Sequence, residues 1–303
     1  MIAYASTKSA IDNANFTNYG AENVAETFSC SSCFRAMLTV CILASISFAT
    51  MADSLRYRSG VRNSQDKHRL SPQQLSKLLE SLRHKSGFLD MHFDENEFLH
   101  LGDRSKIEGG SALARALLIA AVDRERAIDL ECHNRSSKVA FARLASPIDF
   151  TNRSNGARIT IYPIEIDFID FDHLRGDKAA VEAFDLGYVV LHELGHAALG
   201  LTDALVNGRE PGECEEYING IRRELGTPER QSYVARTFII RAFASQAPLR
   251  KAELIFTRPV GKSGKSQNQI LNLSWEAESV GFVTKTVDRT QTNSPRSHSL
   301  IAP

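Results

Sequence analysis

The chain of 303 residues is poor in the features that mark a specialised class. Its five cysteines, at positions 30, 33, 41, 132 and 214, are too few and too scattered for a disulfide scaffold, and the odd count leaves at least one thiol unpaired. Cys30 and Cys33 form a CSSC pair resembling a redox or metal half-site, but no second pair with matching spacing follows. Net charge is absent, with 36 basic residues against 36 acidic ones, so no bulk attraction to nucleic acid is expected. A comfortable bilayer-crossing run is missing too. Residues 36–49, AMLTVCILASISFA, are nearly uncharged but number only 14, short of the roughly 20 that a spanning helix needs. No internal repeat is evident.

What remains is an ordinary globular composition, 43% hydrophobic, in three expected parts. Residues 1–52 read as a poorly ordered leader containing the apolar run 36–49. That run suits either a signal-peptide core or a buried or membrane-associated helix, and it is the only expected membrane contact. Export is weakly favoured over a cytoplasmic location on this ground. Residues 53–257 read as the folded domain, and residues 258–303 as a largely flexible tail in which Trp275 is the one large anchor.

Within the folded part, residues 53–69 read as loop. Ser71-Pro72 opens a helix with Leu75, Leu78, Leu79 and Leu82 on one face, closed by Gly87. A buried helix is expected over 111–126 and a strand over 127–132. Residues 138–168 carry two short runs of period near two around the turn-forming Asn155-Gly156, which predicts a hairpin or meander. An acidic helix with mostly solvated charges is expected over 213–226, and a strand over 233–243.

The chemistry lies in residues 188–203, YVVLHELGHAALGLTD. His192 and His196 are four apart, so on a helix they stack on one face and both can reach one metal ion. Glu193 follows the first histidine. One helical step carries it off the ligand face but leaves it beside the metal, where it can take a proton from a bound water without occupying a coordination position. The run is otherwise almost wholly apolar, with Asp185 placed to cap it and Gly200 to end it, so a metal would explain three polar groups in a buried stretch. Gly195 inside the helix implies a close approach there by a strand or a substrate backbone. His173 is a further histidine in a loop, a candidate extra ligand.

Two blocks together, HELGHAALGLTD and INGIRRELGTPERQSY, resemble the zinc metallopeptidases of the bacterial effector class, in which HExxH precedes an aspartate ligand and a helix bearing R-x-E-L-G, then proline, arginine and tyrosine. The resemblance covers residues 158–233. It implies an α+β fold, a zincin-like core with a small mixed sheet, an HExxH active-site helix and a more helical carboxy-terminal part. It also implies a Zn2+-dependent endopeptidase acting on a protein or peptide substrate, with His192 and His196 as ligands, Glu193 as base, Asp203 as third ligand and Tyr233 near the metal. Asp203 falls seven residues after His196, one more than in the related patterns. Glu213, Glu215 and Glu216 stay open as alternatives. So does a toxin-like or binding protein with a structural zinc site.

Overall fold

The computed structural model describes residues 59–151, 156, 158–204, 211–232, 234–243, 246–260 and 267–281. The leader 1–52 with its apolar run, the CSSC pair, Tyr233 and residues 282–303 lie outside them. Among the described residues no helix is long and apolar enough to cross a membrane.

The fold is α+β. Strands β1 (Gly60–Asn63), β2 (His92–Phe93), β3 (Leu99–His100), β4 (Ala127–Cys132), β5 (Ala142–Leu144), β6 (Ile148–Thr151) and β7 (Arg158–Ile166) come first in the chain. A mixed sheet is built from five of them: β1, β4 and β7 run parallel side by side, while β5 and β6 both pair antiparallel with β7 along its outer edge. β2 and β3 form a separate small hairpin. Of the hairpin or meander expected over 138–168, the hairpin is found: β5 and β6 lie one after the other, both antiparallel to β7. β1 replaces part of an expected loop. Its sequence, GVRN, has no apolar alternation, yet all four residues are buried because Arg62 meets Asp129 across the parallel register through two hydrogen bonds of 2.6 and 2.8 Å.

Helices begin where the sequence supplies caps. α1 (Pro72–Ser86) has a full capping box between Ser71 and Gln74, proline in its first turn, and Gly87 at φ 80° ending it in the left-handed region. α2 (Ala112–Asp123) is capped by Ser111 and buries Ala114, Leu117, Leu118 and Ala121, a helical-period stripe. After the short α3 (Lys178–Glu182), α4 (Leu186–Leu194) carries the histidine motif and α5 (Glu213–Glu224) follows. α4 is buried along its whole length, packed by α1, α2, α5 and the outer strand β5.

Beyond α5 the expectation of a more helical end is corrected. The chain turns to strand: β9 (Glu229–Arg230), β10 (Arg236–Phe243), β11 (Gln246–Val260) and β12 (Gln267–Glu276) form an antiparallel sheet completed by β8 (Arg175–Gly176), in the order β10-β11-β12-β8 with β9 also on β11. No boundary falls at residue 258. β11 runs through it, and β12 buries Leu271, Leu273 and Trp275 against Ala252, Leu254 and Phe256. The polar residues of this segment alternate with apolar ones, so each strand has a core face and a wet face. One apolar core joins both sheets and the helices.

Candidate metal centre

Helix α4 is aimed by its first turn. Asp185 accepts the Tyr188 N–H at 3.1 Å as an N-cap, and its other oxygen takes the buried Lys85 ammonium at 2.6 Å. The far end departs from a plain α-helix. Residues Gly195–Leu199 form a wider π-type turn before Gly200 at φ 71°, an irregularity common at functional sites. The carbonyls of that turn are satisfied from outside: Arg124 donates to Ala198 O and Arg126 to Ala197 O. A close approach at Gly195 does exist, but it is made by a side chain from α5 and not by a strand. A Cβ at Gly195 would lie 2.8 Å from the Cys214 sulfur.

From Gly200 the chain doubles back beneath the histidines. Leu201 O accepts the His196 Nδ1–H at 2.6 Å, and Glu213 holds the Thr202 N–H and hydroxyl at 3.2 and 2.8 Å. Asp203 is thereby delivered to the imidazoles. His192 Nε2, His196 Nε2 and Asp203 Oδ1 form a triangle with edges of 3.1, 3.1 and 3.2 Å. Donor atoms about 2.0 to 2.1 Å from one tetrahedral ion would sit about 3.3 to 3.4 Å apart, so the triangle needs only a few tenths of an ångström of expansion to accept one. With Nδ1 of His196 donating to a carbonyl, its Nε2 is left with the lone pair a metal requires.

The second layer around His192 comes from α5. His192 Nδ1 lies 3.5 Å from Glu215 Oε2, and Glu215 is held by Arg222 at 2.5 Å and Arg230 at 2.9 Å. Arg222 also bonds Ala183 O and Asn219 Oδ1 and stacks over Tyr188. Glu213, Glu216, Arg223 and Glu224 are exposed, as expected of a helix with mostly solvated charges, but Glu215 and Arg222 are almost fully buried. Glu213 is engaged with Thr202, and the exposed Glu216 pairs with Arg223. Of the carboxylates considered as third ligand, only Asp203 meets both Nε2 atoms.

Cys214 was not foreseen. Its thiol donates to His192 O at 3.1 Å, and its sulfur lies within 4.8 Å of a ring nitrogen of each histidine, so His192, His196 and Cys214 also form a group able to hold a metal ion. A second such group, Glu131, His133 and Glu165, sits on the first sheet. There the partners are already matched internally, Glu131 with His133 at 2.9 Å and Glu165 with Arg143 at 2.6 Å.

Burial opposes charge throughout the centre, and local partners decide the outcome. Burial alone would depress both histidines, but Asp203 and Cys214 outweigh it, raising His192 well above its ordinary value and pushing His196 up to about 10. Burial would raise Asp203, but the two histidines hold it far below the usual carboxylate range. Glu215 is likewise kept ionised, against its burial, by Arg230, Arg222 and His192. Glu193 goes the other way: burial raises it, more than His192, His196 and the Leu144 N–H lower it. Glu193 Oε2 accepts that N–H, from β5, at 2.6 Å.

An open cleft of about 1090 Å³ runs over this centre. One side is the β5 segment from Ala140 to Leu144, another Val234, Ala235 and Thr237, and His192, Glu193, His196 and Asp203 line its floor. His173 is not brought to it; it lines a smaller cavity with Arg175 and Ser274. Glu215 was considered only as an alternative ligand; its buried pairing with Arg222, not foreseen, had one signal: the two are seven apart, so they share a helix face with the apolar Ile218, and an acid and a base on an apolar face must pair if buried. Compared with family models, curated proteins and solved structures, the chain matches none.

Proposed function

We propose that the protein is a zinc-dependent endopeptidase with a zincin-like core. The observation that carries this reading is the triangle of His192 Nε2, His196 Nε2 and Asp203 Oδ1, set beside a buried Glu193 on the floor of an open cleft. The fold supports it as well: an active-site helix lies under a mixed sheet whose outer strand, β5, runs antiparallel along the cleft, where an extended peptide can pair with it.

His192, His196 and Asp203 would hold the ion, with Glu215 and Leu201 O fixing the imidazoles in the ligating tautomer. Zinc bound there would supply a Lewis acid for the scissile carbonyl and for a water. Glu193 acts on protons. Its carboxylate, held by the Leu144 N–H, takes one from the attacking water and hands it to the leaving amine, and its raised pKa favours the delivery step. His192 and Glu193 are buried while the cleft above admits a chain, so substrate binding excludes solvent from Glu193. Tyr233 is proposed as a donor to the developing oxyanion or a weak extra ligand.

A second reading, a structural zinc site in a toxin-like or binding protein, draws on Cys214, which would close the coordination as a fourth ligand. The cleft and Glu193 favour the catalytic reading, since a closed structural site has no use for either. The deciding experiment is metal analysis of the purified chain together with peptide-library cleavage, with and without chelator. One zinc per chain and chelator-sensitive cleavage are expected; zinc with no cleavage of any peptide would favour the structural site.

A further inference from the structure

One wall of the cleft is aromatic. Phe141, Phe184 and Trp275 all line it, with Phe141 edge-on to Phe184 at 5.0 Å between ring centroids and edge-on to Trp275 at 5.2 Å. Two independent features single this wall out. Phe141 has φ 64°, a left-handed backbone that bulky residues avoid. It is held there from both sides: its N–H donates to Asp170 Oδ2 at 2.9 Å, and its carbonyl accepts the Asp167 N–H at 2.9 Å. Strain that the surroundings over-determine in this way collects where the position of a side chain matters. The other feature is the indole nitrogen of Trp275. Among the described residues it is the buried side-chain nitrogen without a hydrogen-bond partner, in a residue only 3% exposed. A buried donor lacking an acceptor is costly, and buried tryptophan N–H groups usually have one.

We propose that Phe141, Phe184 and Trp275, together with Leu254, form a specificity subsite for a substrate side chain that is apolar along its length and ends in an acceptor oxygen, received by the Trp275 N–H. The rings provide edge and face contacts for the apolar body. The lone donor discriminates at the tip, because an analogue without the acceptor leaves that N–H unpaired and dry. Glutamine and tyrosine meet both demands; methionine and phenylalanine match them in size but lack the acceptor. That the ligand is a peptide rests on the peptidase reading.

Trp275 is the single tryptophan of the chain, so intrinsic tryptophan fluorescence reports on this wall. The test uses the full chain with Glu193→Gln, loaded with zinc so that it binds without turnover. It is titrated, by calorimetry and by fluorescence, with peptides that differ only as glutamine against methionine or tyrosine against phenylalanine at successive positions. At one position the acceptor-bearing member is expected to bind about tenfold tighter, the worth of one buried hydrogen bond, and to shift the emission. Adding Trp275→Phe should erase the preference at unchanged zinc content. Equal binding of the pairs at every position, or no binding of either, overturns the subsite, as does a preference that survives Trp275→Phe. Chelator-sensitive cleavage by the unsubstituted chain without any preference sinks the subsite alone, whereas preferential binding without cleavage keeps the subsite and sinks the peptidase reading.

Discussion

Replacing Glu215 by Gln isolates the support of the metal centre from the centre itself. The carboxylate is almost fully buried and receives Arg222 Nη1 at 2.5 Å and Arg230 Nη1 at 2.9 Å, with His192 Nδ1 at 3.5 Å. Two charge-assisted hydrogen bonds contribute about 1.5 to 3 kcal/mol each, and a buried ion pair broken from one side typically costs about 3 to 5 kcal/mol because the partner charge is left behind. The lower end of that range is expected for Gln, which keeps one acceptor oxygen. Even so, about 3 kcal/mol is a large share of a typical folding stability of about 5 to 15 kcal/mol, and it translates to a fall in Tm on the order of 10 °C. Zinc affinity should drop about 10- to 100-fold, the usual range when the carboxylate behind a ligating histidine is removed. The pH dependence has a defined sign. Glu215 is held well below its ordinary value of 4.5, so its contribution is present above pH 4.5 and lost as the pH falls through that value toward the folded pKa. The assay is urea denaturation of parent and Glu215→Gln at pH 7 and pH 3.5, with zinc titration at pH 7. A variant equal to the parent in both stability and zinc affinity at pH 7 would refute the assignment of Glu215 as the support of His192.

Glu193→Gln should abolish hydrolysis while keeping one zinc per chain, whereas His192→Ala should lose both; loss of zinc in the first would remove Glu193 as general base. Asp203→Ala is expected to lower zinc affinity far more than Glu216→Ala or Cys214→Ser, and a collapse in Cys214→Ser would transfer the third ligand to the thiol. Tyr233→Phe should cost on the order of tenfold or more in turnover at unchanged Tm if the phenol serves the oxyanion, and unchanged turnover excludes that role. Asp170, pushed up to about 7 by its burial, against the Phe141 N–H and with help from Asp167, stabilises the fold fully below pH 3.8, and this contribution is lost as the pH rises through about 7. Asp170→Asn should therefore flatten stability between pH 5 and pH 8 in urea melts, gaining up to about 4 kcal/mol on the parent at pH 8; parallel profiles for the two proteins would contradict this.

Much of the local architecture was legible in the residues. The caps at Ser71 and Asp185, the left-handed stops at Gly87 and Gly200, the strand over 127–132 and the placing of His192, Glu193 and His196 on one buried helix all depend on neighbours within a turn or two. Nothing in the local pattern of GVRN announced a buried strand, because Arg62 is buried only by virtue of Asp129, 67 residues away. The segment after Arg258 looked polar because alternate residues of β12 face water. Its other face became core only when β11 supplied Ala252 and Leu254 opposite Trp275 and Leu273. Similarly, the pairing of Glu215 with Arg222 on a helix of mostly solvated charges arose only when α5 packed beneath α4, and the π-type turn at Gly195 lies where the Cys214 sulfur presses against the helix. The sequence by itself placed His192, Glu193 and His196 within one helical turn of each other and Asp203 shortly after them. Tertiary structure decided which carboxylate reaches both histidines and which charge stands behind them, because burial and pairing across tens of residues arise only once the sheets and helices have closed on one another.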